Sequence, residues 1–233
     1  MPRPMSDKHE NSFEHDGFEV LDDLVSAQDV AQLLAALGDL NIKPLRGGIR
    51  RIESLVPAVA ELAQSANLIR VAEQHLNGKA HLVRAIYFDK TPENNWYVTW
   101  HQDRTVAVSN RFEQEGWGPW TLKDGVCHVQ PPLEVLENIV TIRIHLDPAT
   151  KTNGCLKIVP GSHRQGLIPS DQVIERVDKT QVAYCETSAG GALIIRPHLL
   201  HASEKSATAK SRRVLHFEYS SYQLPEGISW ASE

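Results

Sequence analysis

Apolar positions fall into two regimes along the chain. From residue 18 to 78 they recur mainly at helical spacing. "FEVL" opens as a short strand, and Ser26 reads as an N-cap ahead of Val30, Leu33, Leu34 and Leu37. "SLVPAVAELAQSANLIRVAEQHLNG" (54–78) predicts two more helices, stopped at Asn77-Gly78. Beyond Gly78 the period changes toward two. "AHLVRAIYFDK", "NWYVTWHQD" and "ENIVTIRIHLD" (137–147) read as strands, and "TNGCLKIVPGSH" as a turn at Asn153-Gly154 followed by a short strand. "AGGALIIRPHLLHAS" and "SRRVLHFEYSSYQL" complete the set. Helices first and then short strands separated by turn signals predict a mainly β fold, a sandwich or closed barrel, with flanking N-terminal helices. No internal repeat is visible.

The 233 residues are 41% hydrophobic, enough for one core. The expected organisation is one domain over 13–233, preceded by a disordered polar tail over 1–12. The formal net charge is −5, with both signs scattered, which argues against a basic nucleic-acid-binding surface. There is no apolar run of membrane-spanning length, and "MPRPMSDKHENS" lacks the apolar core of a signal peptide. Cys127, Cys155 and Cys185 form no CxxC pair, which fits free thiols in a reducing, cytoplasmic setting. Neither nucleic acid nor a membrane is expected as a partner.

The candidate chemistry starts in "YVTWHQDRTV" (97–106). In a strand, His101 and Asp103 share one face and Gln102 takes the other, which would make two arms of a metal site. A third ligand is needed. His201, in "LLHAS", is the first candidate, and His198, three residues earlier, is its rival. Two His and one carboxylate form a facial triad that leaves open positions on one side of a metal. Eleven residues past His201, Arg212 offers an always-charged fork suited to a carboxylate. Adjacent strand residues point opposite ways, so either Arg212 or Arg213 faces inward, not both. Ser203 could add a hydroxyl to the same anion.

"WHQD" (100–103), "NGCLKIVPGSH" (153–163), "LLHAS" (199–203) and the Arg eleven residues beyond the distal His stand in one order. Together with the opening "GFEVLDDLVSAQDVAQLL", they resemble the phytanoyl-CoA dioxygenase family of iron(II)- and 2-oxoglutarate-dependent oxygenases. The resemblance covers nearly the whole chain. It implies a double-stranded β-helix (a cupin-like jelly roll) with N-terminal helices. It places Fe(II) on His101, Asp103 and His201, and 2-oxoglutarate on Arg212 and Ser203. It also implies O2 as oxidant and a small-molecule substrate that is hydroxylated while succinate and CO2 are released. A carboxylate at 103 implies hydroxylation rather than halogenation. Two other readings use the same His-Asp-His set: a non-catalytic metal-binding β-barrel acting as sensor or scaffold, and a zinc hydrolase. The chain departs from the family's namesake at Arg143, where that protein sets a Trp against the co-substrate, so phytanoyl-CoA is not the expected substrate.

The stretch 104–132 follows the two metal-ligand candidates directly. Gly116, Gly118, Pro119, Gly125 and Pro131-Pro132 argue against a long regular element, and a long loop in a compact domain is usually a lid or binding loop. Trp117, Lys123, His128 and Gln130 are therefore expected to contact substrate, with Arg143 reaching in from the next strand. Lys123 and Arg143 would favour an anionic substrate.

Overall fold

The computed structural model describes residues 10–40, 48–177 and 180–232. A helix, α1 (Glu10–Asp16), precedes β1 (Phe18–Leu21) and α2 (Ala27–Gly38). β2 (Ile49–Arg50) leads into α3 (Ile52–Leu55), α4 (Pro57–Ala63) and α5 (Ala66–Gln74). Then come β3 (His81–Lys90), β4 (Val98–His101), β5 (Val106–Val108), β6 (Trp120–Lys123) and β7 (Val126–Val129). α6 (Leu133–Glu137) separates these from β8 (Ile139–His145), β9 (Leu156–Ile158), β10 (Ala183–Tyr184), β11 (Ala192–Ile195), β12 (His201–Ser203) and β13 (Arg212–Ser220). The first helix begins at Glu10, within the stretch 1–12 expected as a tail; residues 1–9 lie outside the described residues. Ser26 caps α2 as expected, its hydroxyl accepting from the Asp29 N–H at 3.1 Å.

All the pairings are antiparallel. Six strands form one sheet in the order β1-β11-β8-β13-β3-β2, and four form a second in the order β10-β9-β12-β4. β5, β7 and β6 make a third, three-stranded sheet. This is the expected double-stranded β-helix, with its helices on one side.

The large sheet sorts its residues by alternation. One face carries Tyr87, Ile142, Ile144, Leu215, Phe217 and Tyr219, all buried in one cluster with Val30, Leu33, Val59 and Leu68 of the helices. The Tyr219 hydroxyl is satisfied there, donating to the Ala63 carbonyl at 2.7 Å. On the opposite face, Leu193 and Ile195 of β11 pack with Leu156, Ile158 and Leu199 of the small sheet. At the other end of that face apolar residues give way to Arg84, Lys90, Arg143, Arg212 and His216, which line a cavity between the sheets.

Candidate active site

β12 pairs with β4 so that His201 lies directly opposite His101. Their rings are 4.2 Å apart between centroids. β4 ends at His101, and Asp103 folds back beneath the pair: its Oδ1 is 3.6 Å from His101 Nε2 and its Oδ2 is 3.6 Å from His201 Nε2. These distances are too long for hydrogen bonds. They suit neighbouring ligands of one ion, and the three donor atoms lie within 4.8 Å of one another. His101 Nδ1 donates to the Thr99 carbonyl and His201 Nδ1 to the Leu199 carbonyl, both at 2.8 Å. The Nδ1 protons are thereby committed, so each Nε2 presents its lone pair to the same point.

Gln102, on the opposite face, fixes this turn. Its Nε2 donates to the carbonyls of Gly166 (2.8 Å) and His198 (2.7 Å), and its Oε1 accepts from the Ile168 N–H at 2.9 Å. His198 thus contributes its backbone here. Its ring faces His163, 6.0 Å away, outside the ligand set. Burial, and then His101, pull His201 down to about 4. Burial alone would raise Asp103, but His101 and His201 hold it well below the usual carboxylate range. At His201 a neutral imidazole beside an ionised carboxylate is the state a divalent cation needs. His101, which burial would lower but Asp103 raises, gives up its extra proton to a bound cation.

Asp103, His216 and Glu218 form a second cluster with donor atoms close enough for a metal. Its lone pairs are already used. Arg143 Nη1 donates to His216 Nδ1 at 2.7 Å, which leaves the ring proton on Nε2, and Nε2 donates to Glu218 Oε1 at 3.0 Å. Glu218 also accepts from Arg84 Nη2 at 2.6 Å. The four side chains make a continuous buried chain, Arg84–Glu218–His216–Arg143, that leaves no ring nitrogen for an ion.

The cavity has a volume of about 280 Å³. Strand alternation separates the two arginines of β13. Arg213 turns outward and is held bidentately by Asp147, through Nε at 2.8 Å and Nη2 at 2.8 Å. Arg212 turns inward, is buried, and its Nε has no partner. Directly across the ladder from it stands Lys90 of β3, which is fully buried. Two like charges opposite each other in a sheet are unfavourable unless an anion joins them. Lys90 Nζ donates to Ser203 Oγ at 2.9 Å and to the Glu204 carbonyl at 2.6 Å, and burial, then Arg212, pull it down to about 7. Burial and Arg212 likewise bring Arg143 down to about 10. The Asn153-Gly154 turn makes this cradle possible. Gly154 has φ 76°, and a Cβ there would lie 2.3 Å from the Glu204 carbonyl that Lys90 binds.

Ser203 is also in this cradle. It lines the cavity, but its proton goes to the Gly154 carbonyl at 2.8 Å and its oxygen accepts from Lys90. Lys90 takes the place beside Arg212. Of the other expected contacts, Arg143 and Lys123 line the cavity, whereas Trp117, His128 and Gln130 do not. Within 104–132 lie three short strands, β5, β6 and β7, with an irregular segment over 109–119 between the first two, and the packing of this stretch engages those residues. Trp117 is buried in an apolar cluster with Val129 and Trp230, edge-on to Phe112. His128 is buried on β7, opposite Ala107. The Gln130 backbone closes the turn at 118–119. Only Thr105 and Lys123 of the whole stretch reach the cavity wall. Sequence reasoning missed Lys90, Arg84 and Arg50, all on the cavity-facing side of β2 and β3.

A family model described as Phytanoyl-CoA dioxygenase (PhyH) matches residues 13–214. Among curated proteins, the chain is 25% identical over 225 residues to an ectoine dioxygenase of Sphingopyxis alaskensis, covering 88% of this chain and 67% of that protein. It is 31% identical over 193 residues to the phytanoyl-CoA dioxygenase of Arabidopsis thaliana, covering 78% of this chain and 58% of that one. Among solved structures, HygX from Streptomyces hygroscopicus with nickel and 2-oxoglutarate bound superposes with a TM-score of 0.66 at 16% identity, covering 92% of this chain and 87% of that one. That last likeness is one of fold. No described helix is long and apolar enough to cross a membrane.

Proposed function

We propose, from the premise that the chain belongs to the phytanoyl-CoA dioxygenase family and is an enzyme of its non-heme iron, 2-oxoglutarate-dependent type, that it hydroxylates a small anionic molecule. His101, Asp103 and His201 hold iron(II), and Lys90 with Arg212 holds the far carboxylate of 2-oxoglutarate. The observation that carries this reading is the pairing, in one cavity, of a preset His-Asp-His donor set with two facing buried cations that lack a carboxylate of their own. A hydrolytic zinc site would have no use for the second half of that arrangement.

Bound there, iron(II) and 2-oxoglutarate supply oxidative hydroxylation of a C–H bond by O2, with release of succinate and CO2. The protein's own part is orientation and charge. Lys90 and Arg212 fix one end of the co-substrate, and Phe88, Ile86, Val98 and Leu156 exclude water around it. Arg143 and Lys123 favour a negative group on the substrate. Succinate release that requires both iron(II) and 2-oxoglutarate is the expected result. Metal-loaded protein that shows no heat on titration with 2-oxoglutarate would sink the reading.

Arg212→Ala should weaken 2-oxoglutarate by about 2–3 kcal/mol, roughly a hundredfold, with metal affinity nearly unchanged. Arg213→Ala should hardly alter co-substrate affinity, because Arg213 serves Asp147. Equal effects in the calorimeter would refute the assignment.

Lys90 gives a pH dependence. With its ammonium titrating at about 7 in the free site, the amine is charged below that pH and neutral above it. An anion bound beside it favours the charged form, so above pH 7 binding takes up a proton. The 2-oxoglutarate Kd should then rise by up to about tenfold per pH unit above 7. Lys90→Arg should flatten this slope, and a wild-type Kd constant from pH 7 to 9 would count against the role.

A further inference from the structure

We infer that Arg50, Arg84 and Lys123 form a second anion site, at the other end of the cavity from the Lys90–Arg212 pair, and that it takes a tetrahedral dianion: a phosphate or phosphonate group carried by the substrate. This rests on the dioxygenase reading and adds to it the substrate's chemical class.

The two ends are separate. Arg84 and Lys90 stand six residues apart on the same face of β3, about 20 Å along the strand. Asp103 lies nearer the outer end, since it acts electrostatically on both Arg84 and Lys123. One compact dicarboxylate held at Lys90 and Arg212 therefore does not reach the outer cations.

Those cations come from three strands. Arg50 is on β2, paired across from Ile86; Arg84 is two residues further along β3; Lys123 closes β6 at the hairpin turn. All three line the cavity. Arg84 is tied to Glu218 through Nη2, but its Nε is buried and without a partner. Arg50 reaches Asp124 Oδ2 at 2.9 Å, at the rim, where the Asp124 side chain is 69% exposed and the pair is weak. Lys123 has no partner among the described residues.

The balance of charge selects a dianion. Besides Arg50, Arg84 and Lys123, the cavity is lined by the cations Lys90, Arg143 and Arg212, against one carboxylate, Asp103. Asp103 serves the metal, Glu218 offsets Arg84, and Asp124 partly offsets Arg50. At the outer end itself, Arg50, Arg84 and Lys123 are opposed by Glu218 and only weakly by the exposed Asp124, so more than one positive charge is left over there. The shape selects a tetrahedral group. A planar carboxylate is met by one guanidinium fork, whereas donors arriving from three strands match three oxygens.

The test titrates methyl phosphate, methylphosphonate and acetate, separately, into protein loaded with metal and 2-oxoglutarate. Arg50→Gln and Lys123→Gln are the variants, since both side chains are partly exposed and dispensable to the core. Expected are one site per chain for the two tetrahedral anions, acetate weaker by about tenfold or more, and a further loss of about tenfold in each variant while 2-oxoglutarate still binds. The tighter of the two tetrahedral probes identifies the source of the group. Competition of these anions with 2-oxoglutarate, their loss on Arg212→Ala instead, equal binding of acetate, or indifference to both variants would overturn the site. Absent 2-oxoglutarate binding would instead undo the dioxygenase reading; the same titrations on the unloaded protein then still decide whether the outer site exists.

Discussion

Asp103→Ala and His201→Ala are each expected to abolish metal-dependent turnover and cut iron(II) affinity sharply, while the far-UV circular dichroism stays that of the native fold. The reason lies in the division of labour around the ladder rung. His101 and His201 present Nε2 lone pairs because their Nδ1 protons are held by the Thr99 and Leu199 carbonyls. Asp103 is the one carboxylate facing both. Removing any of the three leaves two donors. The turn itself survives, because Gln102 holds it through Gly166, His198 and Ile168. His101→Ala should behave likewise. His198→Ala should bind iron nearly as well as the wild type, since its ring points at His163. A metal titration in which His198→Ala fell and His201→Ala did not would show that the distal ligand had been misassigned.

Glu218→Ala is expected to cost about 3–5 kcal/mol of folding stability. Glu218 is buried and is the acceptor for two donors, Arg84 Nη2 and His216 Nε2. Its removal leaves the Arg84 guanidinium buried without a counter-charge and the His216 proton without an acceptor, which is far worse than losing an exposed ion pair. Burial would push Glu218 up, but Arg84 and His216 hold it below the usual range. The sign follows: a carboxylate with a depressed folded pKa contributes stability above its unfolded pKa, near 4.3, and loses it as pH falls through the folded value. Urea denaturation at neutral pH is the measurement. A loss under about 1 kcal/mol would mean that water from the cavity replaces Glu218 and would refute the prediction.

Much of this architecture was legible in one sequence, and the reasons are particular. The change from helical to strand period at Gly78 located the boundary between helices and sheets. Strand alternation correctly said that Arg212 and Arg213 part company, but only the ladder showed which faces in, because facing depends on a partner strand. The same gap hid Lys90. "HLVRAIYFDK" puts 84, 86, 88 and 90 on one face, yet nothing in the string says that Lys90 stands across from Arg212. Ser203 sat at the expected place and proved committed to Gly154 and Lys90, a contact between strands far apart in sequence.

The strands within 104–132 were hidden for a different reason. The segment's glycines and prolines mark irregular backbone, while "LKDGVCHV" carries an Asp-Gly pair flanked by strand formers, the strongest short hairpin signal. Asp124 and Gly125 do adopt positive φ, 51° and 78°, and join β6 to β7. Read as a hairpin, the segment would have sent Trp117 and His128 into its own packing and Lys123 to its tip.

The placement of His101 across a single rung from His201 reaches beyond the chemistry of one ion. The spacing between the two imidazoles is an interstrand distance, set by the pairing of β12 with β4. With imidazole and carboxylate donors, the site's intrinsic preference among divalent metals follows the general order in which copper and nickel exceed iron. If these three side chains are the ligands, they do not by themselves favour iron, and the metal found in the purified chain is expected to follow its supply where the chain was made.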